Sequence, residues 1–333
     1  MVKHISCATD DNYAQHCGVM LCSLFENNKE SEYVVHILMN QDTLSEQNRD
    51  KLRQLVEKYH SECIFHHVDG TKLKGVQYRK NRPLTEAAYY RILYASIFDE
   101  SIHKIFYLDC DIVVNGKIDE IFDLDISEYG LAAVQDVDMY EDDHRMQMSL
   151  PYERCMFCSG VMLINLDYWR ENHVEEKLLY YAKKPRHVYL HDQDALNAVF
   201  HNKWFRLAPK WNKFNMGYLE DWQFLTKQDK EEFLHKPIII HFLVLKPWFD
   251  IPHLKYKELY YKYLDLTEWK GFVPIRRKND SQYSLGKMIF LNNMRLWLRQ
   301  RGMLWAYNMF YYSVMWLKRV ILFPYYIVKI FKK

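Results

Sequence analysis

Short hydrophobic runs, several of them rich in β-branched residues, recur between residues 4 and 242 and alternate with longer segments of helical spacing. A short apolar run bounded by polar residues is typical of a buried strand. The runs that predict strands are residues 4–8, 34–39, 63–68, 104–108, 131–134, 161–165 and 238–242. Strands that alternate with helices indicate an α/β fold with a mostly parallel sheet and flanking helices.

Helices are predicted in three of the intervening segments. Residues 43–46 (Thr-Leu-Ser-Glu) have the form of a capping box, and hydrophobic residues follow at helical spacing as far as Tyr59. Residues 85–98 and 193–200 predict two further helices. In a sheet of this kind, ligands bind outside the carboxyl ends of the strands. The polar residues that end the strands are therefore the candidates for function.

The domain organisation is predicted from breaks in composition. Residues 1–250 contain no internal repeat, low-complexity block or glycine-rich linker, which indicates a single domain. A boundary is expected within residues 265–285, where Pro274 and three consecutive basic residues precede a segment of different character. We therefore predict one domain over residues 1–265 and a basic, aromatic, helical tail over residues 266–333.

Composition excludes a disordered chain, because 333 residues with 49% hydrophobic content can bury a substantial core. The seven cysteines are scattered through apolar stretches, which is typical of reduced thiols in the cytosol. The pair Cys155-x-x-Cys158 leaves a zinc or redox site open, although no second pair follows at suitable spacing. The amino terminus lacks the apolar segment of a secretory signal, so a cytoplasmic protein is expected.

The net charge of +2 conceals a basic tail on an acidic body. Residues 281–333 contain nine Lys and Arg and no Asp or Glu, whereas residues 1–280 contain 36 Lys and Arg against 43 Asp and Glu, a net charge of −7. Basic residues interleaved with Trp, Tyr and Leu are typical of a segment that lies on an anionic membrane surface. The uncharged run 302–317 is shorter than the roughly 20 residues that span a bilayer. Peripheral association with the inner face of the membrane is expected, and no nucleic-acid partner, because the acidic body repels phosphate.

The strongest chemical signal is the pair Asp109 and Asp111, separated by one residue at the end of an apolar run. Residues i and i+2 of a strand point to the same face, so the two carboxylates can converge. Oxygen ligands of this kind suit Mg²⁺ or Mn²⁺, which keep positions open for substrate phosphates. A solvated polar strand end is the alternative interpretation.

A second polar cluster, residues 9–14 (Thr-Asp-Asp-Asn-Tyr-Ala), follows the first predicted strand. Asp and Asn side chains there can read a base edge while Tyr13 stacks on it, although such residues are also common in turns. The chain has neither a Gly-x-Gly-x-x-Gly motif nor a Walker loop, which argues against a dinucleotide oxidoreductase or a P-loop enzyme.

Five blocks in fixed order make the chain resemble a known family. They are Thr9-Asp10-Asp11-Asn12-Tyr13-Ala14, Tyr107-Leu108-Asp109-Cys110-Asp111, Phe157-Cys158-Ser159-Gly160 with the following apolar run to Asn165, His191-Asp192-Gln193-Asp194-Ala195-Leu196-Asn197, and Ile240-His241-Phe242 with Lys246-Pro247-Trp248. Together they resemble glycosyltransferase family 8, the group of lipopolysaccharide galactosyl- and glucosyltransferases and glycogenin. The resemblance covers about residues 4–250. It implies a GT-A fold, a UDP-sugar donor, Mn²⁺ or Mg²⁺, a glycan or lipid-linked saccharide acceptor, and transfer with retention of the α configuration.

The resemblance assigns roles residue by residue. Asp109, Asp111 and His241 look like the metal ligands. Asp10, Asn12 and Tyr13, with Leu84 or Thr85 close by, resemble the residues that hold uridine. Arg91 and Lys246 resemble the cations that clamp the sugar and diphosphate. Those expected near the sugar are Asp136, Cys158, Ser159, Asp192 and Gln193, of which Asp192 and Gln193 are the candidate catalytic residues.

Two departures from the family pattern affect details of the site. Cys158 stands where the pattern has Asn, so a hydrogen-bonding amide near the sugar becomes a thiol. Leu243, Val244 and Leu245 fill a stretch where the pattern has a glycine, and a β-branched residue restricts the backbone there. Donor preference and diphosphate contacts are therefore expected to differ.

Two other classes of function remain open at this point. Asp109 to Val114 also matches the nucleophile loop of haloacid-dehalogenase-like phosphatases, in which the first Asp attacks phosphorus. That motif belongs on the first strand of its domain, whereas about a hundred residues precede it here. The second alternative is a non-catalytic protein that binds nucleotide sugars.

Overall fold

The computed structural model describes residues 2–78, 86–136, 156–185, 188, 190–201, 203–214, 226–243, 245–251 and 254–276, with Arg301, Met303 and Met309. Its strands are β1 (Lys3–Ala8), β2 (Tyr33–Met39), β3 (Glu62–His67), β4 (Lys104–Leu108), β5 (Ile112–Val114), β6 (Leu131–Gln135), β7 (Phe157–Asn165), β8 (Trp204–Arg206), β9 (Lys213–Phe214) and β10 (Ile239–His241). Its α-helices are α1 (Ala14–Asn27), α2 (Glu46–Lys58), α3 (Tyr94–Ile97), α4 (Leu166–Glu171), α5 (Val174–Lys183), α6 (Asp192–Phe200), α7 (Lys227–His235) and α8 (Lys257–Leu264). Short 3₁₀ helices cover Gly70–Leu73, Glu86–Leu93, Asp119–Ile121 and Pro209–Trp211.

The central sheet has seven strands in the order β3-β2-β1-β4-β7-β6-β8. β3, β2, β1 and β4 are parallel, β7 is antiparallel to both β4 and β6, and β8 is parallel to β6. The sheet is therefore mixed and mainly parallel, as the sequence predicts. Parallel neighbours end at the same edge, so the turns after β1 and β4 lie together.

A second, three-stranded sheet has the order β5-β10-β9. β10 is antiparallel to β5, with His241 opposite Ile112, and parallel to β9, with His241 opposite Phe214. This small sheet carries His241 to the residues that follow β4, across a sequence separation of more than 100 positions.

The hydrophobic core encloses α1 almost completely. This helix packs against α2, β5 and α8, and the side chains of Leu21, Leu24 and Phe25 are buried. A further apolar cluster joins the Glu86–Leu93 helix to α5 and α6 around Trp169. These contacts fix the elements whose ends carry the polar motifs.

Most elements predicted from sequence are present, with two corrections. The segment 85–98 is a 3₁₀ helix over Glu86–Leu93 followed by the short α3, rather than one α-helix. Helix α2 begins after Ser45, whose hydroxyl accepts from the Asn48 backbone N–H, so the cap is Ser45 and not the first residue of the 43–46 motif. The sequence analysis missed α1, α4, α5, α7, α8, β5, β8 and β9.

One compact unit comprises Met1–Gly217 and Phe224–Arg276. Residues 266–276 contribute to it, since Ile275 pairs with Phe249 and the Trp269 ring lies against Gly18. The division of the chain at residue 265 stays a prediction, and the tail beyond Arg276 lies outside the described residues apart from three positions. Within the described part of the chain, every helix is too short or too polar to traverse a bilayer.

Candidate active site at the carboxyl edge of the sheet

Strand register assembles the backbone of the site. Leu108, the last residue of β4, lies opposite Val161 of the antiparallel β7. The residues before Val161 therefore lie beside those after Leu108, and the Asp109 backbone N–H donates to the Gly160 carbonyl oxygen at 2.8 Å. The turn after β1 reaches the same edge because β1 and β4 are parallel neighbours.

The side chains of Asp109, Asp111 and His241 converge at this edge. One ligand atom from each residue lies within 4.8 Å of the others. Nε2 of His241 is 3.1 Å from Oδ1 of Asp111 and 3.9 Å from Oδ2 of Asp109. Two carboxylates and an imidazole form a donor set that suits a divalent cation such as Mn²⁺. The structure thus brings together the three residues that were predicted as metal ligands.

The orientation of His241 is fixed from behind by Asn212. Asn212 is fully buried, and its Oδ1 lies 3.0 Å from Nδ1 of His241. An amide oxygen accepts, so Nδ1 donates its proton to Asn212 and Nε2 is the nitrogen that faces the carboxylates. Nε2 is therefore the atom that would coordinate a cation held by Asp109 and Asp111.

Gly160 leaves space that the cluster needs. A Cβ atom at residue 160 would lie 2.3 Å from Cε1 of His241 and 2.6 Å from Oδ2 of Asp109. Both distances are far below van der Waals contact, so any side chain here would displace two of the three ligand residues. The cleared volume and the donor chemistry fit a bound divalent cation.

Lys246 adds a positive charge to the same cluster. Its Nζ donates to Oδ2 of Asp111 and, at 2.6 Å, to the carbonyl oxygen of Phe242. Burial raises the pKa of Asp111, but the charges of Lys246 and His241 outweigh burial and hold that pKa below its usual value. Asp111 is therefore ionised at neutral pH, as a metal ligand must be.

Arg91 is buried at the centre of the acidic residues. Its Nη2 is 2.9 Å from Oδ1 of Asp109, and its Nε is 3.1 Å from Oδ2 of Asp192. Nη1 donates to the Ser159 carbonyl oxygen at 2.7 Å. One guanidinium thus links the turn after β4, the start of α6 and the start of β7, and the role of Arg91 in binding the donor stays a prediction.

Asp192 carries a strongly perturbed carboxyl group. Burial, with a contribution from the nearby charge of Asp109, raises its pKa to about 7 although Arg91 opposes the change. Oδ2 makes the ion contact with Arg91 but has no aligned hydrogen bond within the described residues. Perturbed carboxyl groups of this kind are concentrated at functional sites.

Gln193 lies between two polar groups of the predicted sugar site. Its Oε1 accepts from the Ser159 backbone N–H at 2.9 Å, and its Nε2 donates to Oδ2 of Asp136 at 2.6 Å. Both amide atoms are used, so the plane of the Gln193 side chain is fixed. Asp136, Ser159 and Gln193, which the sequence assigned to the sugar, form one hydrogen-bonded unit.

In the turn after β1, some polar side chains make hydrogen bonds within the protein and others are exposed to solvent. Asp10 is buried and accepts from the Tyr13 backbone N–H at 3.1 Å, while Asn12 is exposed. The Tyr13 ring is 37% exposed and contacts the edge of Trp248 at 5.7 Å between centroids. Asp11 accepts three hydrogen bonds from the start of α2 and so anchors the turn.

Three predicted positions lie outside the described residues. They are Leu84 and Thr85, expected near uridine, and Val244, expected near the diphosphate.

Cys158, which stands where the family pattern has Asn, is buried, with its Sγ 4.0 Å from Nδ1 of His241. Burial raises the pKa of its thiol well above the ordinary value. The thiol is therefore neutral at the site.

The sequence profile described as Glycosyl transferase family 8 matches residues 4–252. The chain belongs to this family. The matched segment runs from β1 to beyond β10 and contains every described residue of the carboxyl-edge site.

Individual relatives are similar over most of their length. The chain is 32% identical over 276 residues to General stress protein A of Bacillus subtilis (strain 168), covering 80% of this chain and 95% of that protein. It is 28% identical over 284 residues to Lipopolysaccharide 1,2-glucosyltransferase of Escherichia coli, covering 82% and 81%. Among solved structures it resembles galactosyltransferase LgtC in complex with donor and acceptor sugar analogs, with a TM-score of 0.70, 20% identity, and coverage of 85% of this chain and 99% of that one. The GT-A fold expected from sequence is thereby confirmed.

These findings do not favour the two alternative interpretations. Family 8 proteins are glycosyltransferases, so neither a phosphatase that uses Asp109 as nucleophile nor a non-catalytic binding protein is the better assignment. Metal dependence is general among GT-A enzymes of this kind.

Sequence reasoning overlooked three contributors to the site. Asn212 and Gly160 act on His241 as described above, and the Tyr107 hydroxyl donates to Oδ1 of Asp109 at 2.5 Å. The Tyr107 ring also lies 4.3 Å from the Arg91 guanidinium. Gly160 and Tyr107 stand inside the motif blocks and were detectable there, whereas Asn212 belongs to no recognisable motif.

Proposed function

We propose that this protein transfers a hexose, either galactose or glucose, from a UDP-sugar to a glycan or glycolipid acceptor in the synthesis of cell-surface polysaccharide. The observation that carries the proposal is the joint placement of the Asp109, Asp111 and His241 cluster with Lys246 at the sheet edge that also holds Arg91. Membership of family 8 and the similarity to a lipopolysaccharide glucosyltransferase support it.

Asp109, Asp111 and His241 would hold Mn²⁺ or Mg²⁺. When bound, the cation supplies positive charge to the diphosphate of the donor. Lys246 places its ammonium group at the same point, where it stabilises the negative charge that develops as the bond from sugar to phosphate breaks. Lys246 pairs with Asp111, so its charge is held beside the carboxylates of the acidic cluster.

The nucleotide would lie along the turn after β1. Asp10 and Asn12 would meet the uracil edge, and the exposed ring of Tyr13 would offer a stacking surface. Leu84 and Thr85 are proposed to lie beside the uridine as well. The packing of Tyr13 against Trp248 links the uridine end of the site to the segment that carries Lys246.

The sugar would lie over Asp136, Asp192 and Gln193. Asp136 and Asp192 accept hydrogen bonds from its hydroxyl groups, and Arg91 keeps Asp192 in place. The Gln193 amide, held by Ser159 and Asp136, supports the positive charge that develops at the anomeric carbon. An amide is a poor nucleophile, so a covalent intermediate would need Asp192 or Asp194 instead. The route that we propose for retention is attack on the face that the diphosphate leaves, with a phosphate oxygen taking the proton of the acceptor.

The test is turnover of UDP-galactose and UDP-glucose by the full-length protein, with Mn²⁺, with Mg²⁺ and with EDTA. We expect turnover to require the cation and to be abolished in Asp109→Asn and Asp111→Asn, because each variant removes a ligand charge. Asp50→Asn, which breaks only an exposed ion pair with Arg53, is the matched control and should behave as the wild type. Unchanged turnover in EDTA or in either site variant would reject the proposal, provided that circular dichroism shows folded protein.

We also propose that the protein is cytoplasmic and binds the inner face of the membrane through residues 281–333. The support is compositional: nine basic residues and no acidic ones, interleaved with aromatic residues. A surface location would bring the active site to a lipid-linked saccharide.

A further inference from the structure

Three cysteines from separate parts of the chain place their thiols together. Cys7 lies in β1, Cys17 in α1, and Cys110 between the two aspartates that follow β4. Their Sγ atoms all lie within 4.8 Å of one another, and those of Cys7 and Cys17 are 3.6 Å apart. All three are free thiols. We call this group the thiol cluster.

The thiol cluster is buried and sulfur-rich. Cys7 and Cys17 are 0% exposed and Cys110 is 5% exposed. The Cys110 thiol also donates to the Ala8 carbonyl oxygen at 3.2 Å, so the turn after β4 is held to the end of β1. From this arrangement we propose that the thiol cluster binds one soft d¹⁰ metal ion, of the class of Zn²⁺, Cd²⁺ or Cu⁺, through three sulfur ligands.

The spacing of the sulfurs fits such an ion. Metal–sulfur bonds of about 2.3 Å place sulfur ligands roughly 3.8 Å apart in tetrahedral geometry and roughly 4.0 Å apart in trigonal geometry. The Cys7–Cys17 separation is 3.6 Å and the other two are at most 4.8 Å, so side-chain adjustments of about 1 Å or less bring the sulfurs to these values. A disulfide needs the sulfurs at about 2.05 Å and would use only two of the three.

Ligand softness separates this site from the one at Asp109, Asp111 and His241. Thiolates select Cu⁺ and Zn²⁺, whereas carboxylates suit Mg²⁺ and Mn²⁺. Each thiol that coordinates the ion releases its proton to solvent. The two clusters share the segment 109–111, whose carboxylates belong to the acidic cluster and whose central sulfur belongs to the thiol cluster. An ion in the thiol cluster would therefore tie the nucleotide-binding turn after β1 to the turn that carries the acidic ligands.

The experiment is a Cd²⁺ titration of the full-length, reduced protein, followed by the ultraviolet charge-transfer absorption of cadmium thiolate. Carboxylate and imidazole ligands do not produce this band, so the acidic site does not interfere. We expect one equivalent of Cd²⁺ to saturate the band in the wild type. Cys17→Ala should lose most of the band, whereas Cys22→Ala and Cys63→Ala, which remove thiols outside the cluster, should retain it. Cys17→Ser, which preserves volume, replaces the alanine variant if that variant does not fold.

The outcomes separate the proposal from other cysteine chemistry. X-ray absorption of the one-to-one complex should show three Cd–S bonds. A band of unchanged intensity and stoichiometry in the folded Cys17 variant would overturn the proposal, as would absence of the band in the wild type. Loss of the band in Cys158→Ala with retention in Cys17→Ala would assign the ion to the Cys155-x-x-Cys158 pair and would also overturn it.

Discussion

Asn212 Oδ1 accepts a hydrogen bond from Nδ1 of His241 at 3.0 Å, and this contact sets which nitrogen of the imidazole faces Asp109 and Asp111. Asn212 lies 29 residues before His241 and directly precedes β9, the strand that pairs with β10 in the small sheet. The pair is fully buried, so water cannot replace the amide oxygen. Replacing the group that orients a metal-bound histidine typically costs about 10- to 100-fold in metal affinity.

We expect Asn212→Leu to weaken Mn²⁺ binding by about 10- to 100-fold, because no acceptor then holds Nδ1–H and the imidazole loses its preferred tautomer. Asn212→Asp keeps an acceptor at the same position and should restore most of the affinity. Electron paramagnetic resonance of free Mn²⁺ measures both constants. Equal affinities in wild type and Asn212→Leu would show that His241 is oriented by other contacts.

Gly160→Ala should abolish Mn²⁺ binding while the protein remains folded. Its new Cβ atom would lie 2.3 Å from Cε1 of His241 and 2.6 Å from Oδ2 of Asp109. Gly116→Ala is the matched control, since a Cβ atom there meets nothing closer than 3.5 Å. Calorimetric titration with Mn²⁺ and thermal unfolding separate loss of the site from loss of the fold. Mn²⁺ binding by Gly160→Ala at wild-type strength would contradict the proposed metal site.

Most strands of the central sheet could be predicted from sequence because they are uninterrupted apolar runs followed by a charged residue, as β4 is by Asp109. Helix α1 could not be predicted in this way, because α2, β5 and α8 enclose it and it lacks the polar face that identifies an amphipathic helix. Residues Glu86–Leu93 have a composition that favours a helix. The sequence does not show whether their hydrogen bonds follow the i+3 pattern of a 3₁₀ helix, as observed, or the i+4 pattern of an α-helix.

The site was predictable to the extent that its residues occur in ordered blocks. Asp109 and His241 were predicted from their motifs to hold one cation, although Asp109 follows β4 of the large sheet and His241 ends β10 of the small one. The role of Asn212 could not be predicted, because Asn212 is a single polar residue outside any motif. Only the parallel pairing of β9 and β10 brings it beside His241. The contact of Lys246 with Asp111 likewise depends on how the chain returns after β10.

Asp192 should make stability depend on pH. Its pKa is raised from 3.8 to about 7 in the folded protein, so the folded state binds the proton more tightly than the unfolded chain. The neutral carboxyl stabilises the fold fully below about pH 4, and this contribution declines as pH rises to about 7, by an amount on the order of 3 to 4 kcal/mol.

Asp192→Asn removes the titration, so we expect its stability relative to the wild type to increase between about pH 5 and about pH 8. Chemical denaturation of the metal-free proteins at both values measures the difference. Asp50→Asn, an exposed position, should show no such change. A constant difference for Asp192→Asn across this range would mean that the carboxyl ionises at its ordinary pKa.

Gln193→Ala should lower kcat more than it weakens donor binding, because its amide acts on charge that develops during transfer. Gln228→Ala, on the polar helix α7, is the control. Steady-state kinetics with UDP-galactose and UDP-glucose give the two parameters, and NMR of the product gives the anomer, which we expect to be α. A β-linked product would reject the retaining mechanism.

Removal of residues 281–333 should release the protein from anionic vesicles. Each basic residue near such a surface contributes on the order of 1 kcal/mol, and salt weakens the attraction within a Debye length. Full-length protein should therefore sediment with phosphatidylglycerol liposomes at low salt and less so at high salt, whereas the truncated protein should stay in solution. UDP-sugar hydrolysis by the truncated protein should persist, because the described site residues all precede residue 250. Equal sedimentation of the two proteins would refute the membrane proposal, and a truncated protein that no longer folds would show that the tail is part of the folded domain.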